Sequence, residues 1–184
     1  MILIVSGTNR PGSRTRRVAD VIDRLYVGRA PSRILDLLHV PIDAYSPLAY
    51  LEKPRAVHPF LTAAVDCVGL VIVTPEYNGS FPGALKHFID LLPHPSPLER
   101  KPVCFVGLAD GHWGALRAVE HLQQICTHRG AHLLPQRVFI PRVGEAFEGD
   151  DLKPEFLARL DQQAQDFLAF TRSIAPAKPV PVAP

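Results

Sequence analysis

The sequence predicts a three-layer α/β/α sandwich built on a five-stranded parallel sheet. Short apolar runs alternate five times with segments of helical periodicity, and two middle runs, 69–73 and 102–109, are apolar on both faces. Strands covered by helices on both sides read as continuous apolar runs rather than alternating ones, and regular strand–helix alternation calls for parallel pairing. A chain of 184 residues with 47% hydrophobic content is long enough for one sizeable core.

Ile2 to Val5 forms the first run. It breaks into the polar loop Ser6–Thr15 before Val18, Val21, Ile22 and Leu25 resume at helical spacing. Arg33 to Leu38 reads as the second strand. His39 to Pro54, with three prolines and two tyrosines, is too irregular for an element but long enough to cover a neighbouring site. Ala56 to Cys67 is a weak helix leading into the third strand. Pro75 ends that strand, Asn78-Gly79 signals a turn, and Ser80 is expected to cap a helix with Pro82 in its first turn. Phe81, Ala84, Leu85, Phe88 and Leu92 then give one apolar stripe.

Beyond the connector Pro93–Pro97, the fourth strand ends in Asp110–Gly114. That loop opens onto Leu116, Val119, Leu122, Ile125 and Cys126 at helical spacing, with Gly130 as the C-terminal cap. His132 to Ile140 is the fifth strand region, interrupted by Pro135. Pro154 begins a last helix with Leu157, Leu160, Ala164, Phe167 and Leu168 inward. Residues 1–174 therefore read as one domain, and 175–184, with four prolines, as a disordered tail. Five strands fit the flavodoxin-like order 2-1-3-4-5.

A net charge of +2 gives no reason to expect a nucleic-acid or membrane partner. The apolar start, Ile2 to Val5, is too short for a signal or spanning segment, so a cytoplasmic protein is expected. Cys67, Cys104 and Cys126 have no CxxC pairing and sit in apolar surroundings, which predicts buried, reduced thiols. His121 and His128 share a helix face but lack a carboxylate at ligand spacing, so no metal is expected. Without a GxSxG elbow, a hydrolase has no nucleophile site.

In an open parallel sheet, ligands lie beyond the carboxyl ends of the strands, which puts two loops at the functional edge. The first, Gly7–Thr15, places glycines, hydroxyls and arginines immediately before a helix, where free amides and the positive dipole end favour an anion. Arg14, Arg16 and Arg17 oppose that dipole unless a bound anion or an acidic partner compensates. Ser13-Arg14 stands where a P-loop would carry Lys and Ser/Thr, and Asn9 breaks the GxGxxG fingerprint. A terminal monophosphate is the favoured anion. The second loop, Pro75–Ser80, follows the apolar third strand.

Gly7-Thr-x-Arg10-x-x-Ser13-x-Thr15 after the first strand, with Pro75-Glu-Tyr-Asn78 and Pro82-x-x-Leu85-Lys86-x-x-Ile89-Asp90 after the third, resembles the NAD(P)H-dependent FMN reductase family. The resemblance spans roughly residues 2–141 and implies the same flavodoxin-like fold. It implies that Thr8, Arg10, Ser13 and Thr15 hold the FMN phosphate, with Arg14 beside them. It also implies that Pro75, Glu76, Tyr77 and Asn78 border the isoalloxazine, faced by Asp110, Gly111, His112, Trp113 and Gly114. Thr8 stands where the family usually has Ser, Thr15 where it usually has Asn, and Asp110-Gly-His-Trp replaces a loop that is often Ser/Gly-rich.

The implied activity passes hydride from NAD(P)H to FMN and on to a flavin, quinone, azo or metal-oxyanion acceptor. No catalytic side chain is expected, because the cofactor carries the chemistry. The resemblance further implies a homodimer or homotetramer whose subunits complete the site. The alternative is a flavodoxin-like electron carrier without nicotinamide turnover.

Overall fold

The computed structural model describes residues 1–174; the tail expected at 175–184 lies outside them. Five strands form one parallel sheet: β1 (Ile2–Ser6), β2 (Ser32–Asp36), β3 (Gly69–Pro75), β4 (Pro102–Leu108) and β5 (His132–Ile140). Their order is β2-β1-β3-β4-β5, as expected, with Ile4 opposite both Ile34 and Val71. Helices α1 (Arg14–Tyr26), α2 (His58–Asp66), α3 (Gly83–Leu91), α4 (Leu116–His128) and α5 (Pro154–Ser173) cover the two faces. Every residue of β1, β3 and β4 is buried, as parallel strands between helical layers require.

The core divides across the sheet. On one face Leu3, Ile72 and Phe105 pack with Leu61, Leu85, Phe88 and Leu122; on the other Ile4, Val71 and Val106 pack with Val18, Ile22, Leu160 and Phe167. Cys67, Cys104 and Cys126 are buried and unbridged, and burial pushes all three thiols up, Cys126 to about 12. Among the described residues no helix is long and apolar enough to cross a membrane.

Local interactions move several boundaries. The second strand stops at Asp36 rather than Leu38, because the Asp36 carboxylate accepts the Leu38 amide and turns the chain into the short 3-10 helix Leu37–His39. Residues 39–54 hold two further 3-10 turns, Ile42–Tyr45 and Pro47–Tyr50. This excursion is tied to α3 by His87, which stacks on Tyr45 at 4.9 Å and lies 3.3 Å from the Tyr50 hydroxyl.

Ser80 does not cap α3. Tyr77 and Ser80 exchange backbone hydrogen bonds of 2.7 and 3.1 Å across a tight turn, so the helix begins only after Pro82. Pro135 leaves β5 continuous but bulged: the register with β4 jumps from Val103/Leu133 to Phe105/Arg137. The buried Gln163 of α5 donates there to the Phe105 and Gln136 carbonyls and so braces the bulge. A two-stranded hairpin, β6 (Phe147–Glu148) and β7 (Asp151–Leu152), precedes α5; its two-residue strands are too short for any periodicity to reveal.

Candidate active site at the carboxyl edge of the sheet

Beyond the ends of β1, β3 and β4 lies a cavity of about 730 Å³, lined by the Arg10–Thr15, Pro75–Gly79 and Leu108–Ala115 segments with Arg117 and Val143. Its first end is built on close backbone approach. The Gly7 amide donates to the Val73 carbonyl at 2.8 Å, and a Cβ on Gly7 would lie 2.7 Å from that oxygen. Glycine thus lets the first loop cross directly over β3.

Ser13 caps α1, its hydroxyl accepting the Arg16 amide at 3.2 Å. Among the described residues the amides of Gly12, Ser13, Arg14 and Thr15 donate to no protein acceptor, so the positive end of the α1 dipole opens on the cavity. The arginines that the sequence offered as evidence for an anion have protein partners instead. Arg14 pairs with Asp110 at 3.0 Å, and Arg16 with Asp20 at 3.0 Å and Asp36 at 3.2 Å. Arg17 donates to the Gly149 carbonyl at 2.7 Å and lies over the Phe147 ring. Arg10 lines the cavity and has no side-chain partner among the described residues, which leaves its guanidinium free for an anion.

The second end is a fixed turn. Asn78 and Gly79 have φ of 51° and 77°, the paired left-handed conformations that an Asn-Gly dipeptide favours. Three contacts hold this turn from below and from the side. The Tyr77 hydroxyl lies 2.9 Å from Thr8 Oγ1, Ser80 Oγ lies 2.9 Å from His121 Nδ1, and Arg117 reaches Glu76 at 3.5 Å. Arg117 and His121 are one turn apart on α4, so one helix face braces the whole segment.

The third wall, Asp110–Ala115, rests on β4 through Gly107. A Cβ at Gly107 would lie 2.7 Å from the Gly114 carbonyl and 2.9 Å from Phe139 Cδ1. Gly107→Ala is therefore expected to push this wall off the strand, at a cost of about 1–3 kcal/mol typical of overpacking. Thermal unfolding would show a lowered midpoint, together with weakened ligand binding at the site. Asp110 fixes the wall by accepting from Arg14 and from the Gly144 amide at 2.9 Å, which joins the edges of β1, β4 and β5.

Of the residues singled out from the sequence, Arg10, Ser13, Arg14, Thr15, Pro75, Glu76, Tyr77, Asn78 and Asp110 through Gly114 all line this cavity. Thr8 does not. It is buried beneath the loop, where its hydroxyl accepts the Arg10 amide and meets Tyr77, so it positions both ends of the site. Arg117 also lines the cavity, and no motif marks it. Its signal is its place one turn after Trp113, at the start of a helix that follows a site loop.

The protein-family model described as NADPH-dependent FMN reductase matches residues 1–145. The chain belongs to the NADPH-dependent FMN reductase family. It is 29% identical over 181 residues to an NAD(P)H-dependent FMN reductase of Pseudomonas aeruginosa, covering 94% of this chain and 96% of that protein. It is 30% identical over 138 residues to a 2-hydroxy-1,4-benzoquinone reductase of a Burkholderia species, covering 73% and 74%. An NADPH azoreductase of a Bacillus species is 28% identical over 155 residues, covering 83% and 84%. In fold, this reductase superposes with a TM-score of 0.80 on the flavoenzyme NAD(P)H:(acceptor) oxidoreductase of Paracoccus denitrificans, 24% identical over 94% of this chain and 97% of that one. Membership makes the chain an NAD(P)H-dependent FMN oxidoreductase, with FMN as cofactor and NAD(P)H as electron donor.

Proposed function

We propose that the cavity holds FMN, with its phosphate on the α1 terminus and its ring between the Pro75–Asn78 segment and the Asp110–Gly114 wall. One observation carries this reading: the unpaired amides of Gly12 to Thr15 and the free Arg10 converge on one end of a cavity whose other end is a braced turn. The residues fit the cofactor in chemistry as well as size. A phosphate monoester needs donors and positive charge, and the α1 terminus supplies both. A cavity of about 730 Å³ lies within the range of cofactor sites.

When bound, FMN supplies the redox chemistry, taking hydride from a nicotinamide and handing electrons to a small-molecule acceptor. The protein's part is to hold and orient. The Tyr77–Thr8 contact ties the ring segment to the phosphate loop, so the two ends of the site keep a fixed spacing. Glu76, held by Arg117, has no proton to move in a hydride transfer and serves to anchor its loop. Protein purified and extensively dialysed is expected to keep a stoichiometric flavin band and to oxidise NADH or NADPH when a quinone or azo dye is supplied. Protein that neither carries nor regains flavin would overturn the reading.

The active species in this reading is a homodimer or homotetramer in the cytoplasm, formed by the single domain 1–174. Ile42, Leu48, Tyr50 and Leu51 on the 39–54 excursion leave apolar surface exposed that a second subunit would cover. Phe88 and Phe81 take no part in that surface: Phe88 is core and Phe81 packs against it. Sedimentation of active protein is expected to give at least twice the 20.3 kDa chain mass. An active monomer at working concentration would contradict shared sites.

A further inference from the structure

We propose that the acceptor this site favours is a planar aromatic molecule bearing an anionic group, and that Arg117 reads the charge. The inference rests on the FMN reading of the cavity and names the substrate class for it. Two neighbouring side chains at the mouth carry the argument. Trp113 is 59% exposed, and His112 stands perpendicular to it at 5.2 Å, so much of the indole is open to solvent on the cavity wall. Arg117 follows one turn later, with the Leu116 amide bonded to the Trp113 carbonyl, so wall and helix form one continuous turn.

The Arg117 side chain is 60% exposed, and its one acidic contact among the described residues is long, Nη1 to Glu76 Oε1 at 3.5 Å, with Glu76 itself only 17% exposed. The contact engages one nitrogen of a guanidinium that presents five N–H donors in a planar fork. The unengaged edge can receive a carboxylate, sulfonate or phenolate in bidentate fashion beside the indole. Arg14, the other partnered cation at the cavity, accepts no such role, because Asp110 takes two contacts from it at 3.0 and 3.3 Å. Arg10 stands at the phosphate end. Charge discrimination at the mouth therefore falls to Arg117, and an aromatic acid satisfies indole and guanidinium together where a neutral quinone satisfies only the first.

The test uses the FMN-loaded protein, without nicotinamide, and compares 1,4-naphthoquinone-2-sulfonate with 2-methyl-1,4-naphthoquinone. Trp113 is the only tryptophan in the sequence, so quenching of its fluorescence gives both dissociation constants at the site. Wild-type protein is expected to bind the sulfonate more tightly. Arg117→Gln should cut the sulfonate-over-neutral preference about tenfold, Arg117→Lys should restore most of it, and Glu76→Gln should raise it by freeing the guanidinium. In turnover the same preference should appear in KM for the acceptor rather than in kcat.

Equal loss for both quinones in Arg117→Gln would make Arg117 a brace for the Glu76 loop and overturn the proposal. So would an unchanged preference, or a change confined to KM for NADH or NADPH. Wild-type protein that takes up no FMN sinks the reading of the site itself. An FMN-loaded wild type that binds both quinones alike sinks this inference alone.

Discussion

Arg10→Ala is expected to weaken FMN binding roughly 10- to 150-fold while changing riboflavin affinity little, the free-energy loss being that of a charge-assisted hydrogen bond, about 1.5–3 kcal/mol. The contrast follows from what each arginine already does. Arg14, Arg16 and Arg17 are held by Asp110, by Asp20 and Asp36, and by Gly149 with Phe147. Removing any of them disturbs the scaffold and should affect both flavins alike. Among the described residues Arg10 has no such scaffold contact through its side chain, so its loss is felt only by a ligand with a phosphate. Titrating apo-protein with FMN and riboflavin, each against wild type and variant, measures the difference. Equal losses for both flavins would move the phosphate away from Arg10.

Lys101→Met is expected to lower the unfolding free energy by about 2 kcal/mol without touching the site. Lys101 is only 5% exposed, and its ammonium donates to the carbonyls of Ala64 and Val65, both at 2.7 Å, at the end of α2. A cation there completes the last carbonyls of the helix and lies at the negative end of its dipole. Methionine fills the space but leaves the Val65 carbonyl without this donor and the Ala64 carbonyl with only the Cys67 thiol at 3.3 Å; a buried acceptor left short costs about 1–3 kcal/mol, partly offset by relief of the desolvated charge. Urea unfolding of wild type and variant gives the value, and a loss below about 1 kcal/mol would refute the cap.

The pH dependence has a definite sign. Burial holds the Lys101 ammonium below its ordinary 10.5, against the opposing pull of Cys67 and Asp66. Between the lowered folded value and 10.5 the unfolded chain binds more protons, so this group makes wild type more stable as pH rises through that window. The gap between wild type and Lys101→Met should therefore widen on the alkaline side.

How these residues became legible differs. The strands β1, β3 and β4 were readable because burial between two helical layers leaves a continuous apolar run, and no longer-range information is needed to see one. Pro75–Asn78 and Arg10–Thr15 were readable because strand ends next to helix starts are where ligands collect in such sheets. Ser80 is no cap, against its local preference, because its hydroxyl meets His121, 41 residues away, and the backbone of the same segment closes on itself. Local capping preference has no access to that competition.

Local patterns in the chain dictate the α/β alternation, the parallel sheet and the loops that line the cavity. They do so because periodicity, glycine and proline act over a few residues. Tertiary structure alone decided which cations are spent on the fold and which remain for a ligand. Asp110 lies 96 residues from Arg14, and Gly149 lies 132 from Arg17, so only the packed sheet edge brings these partners together and, among the described residues, leaves Arg10 free. The same holds for Arg117 and Glu76, 41 residues apart. Charge neutralisation depends on distance in space, and no local pattern in a chain encodes it.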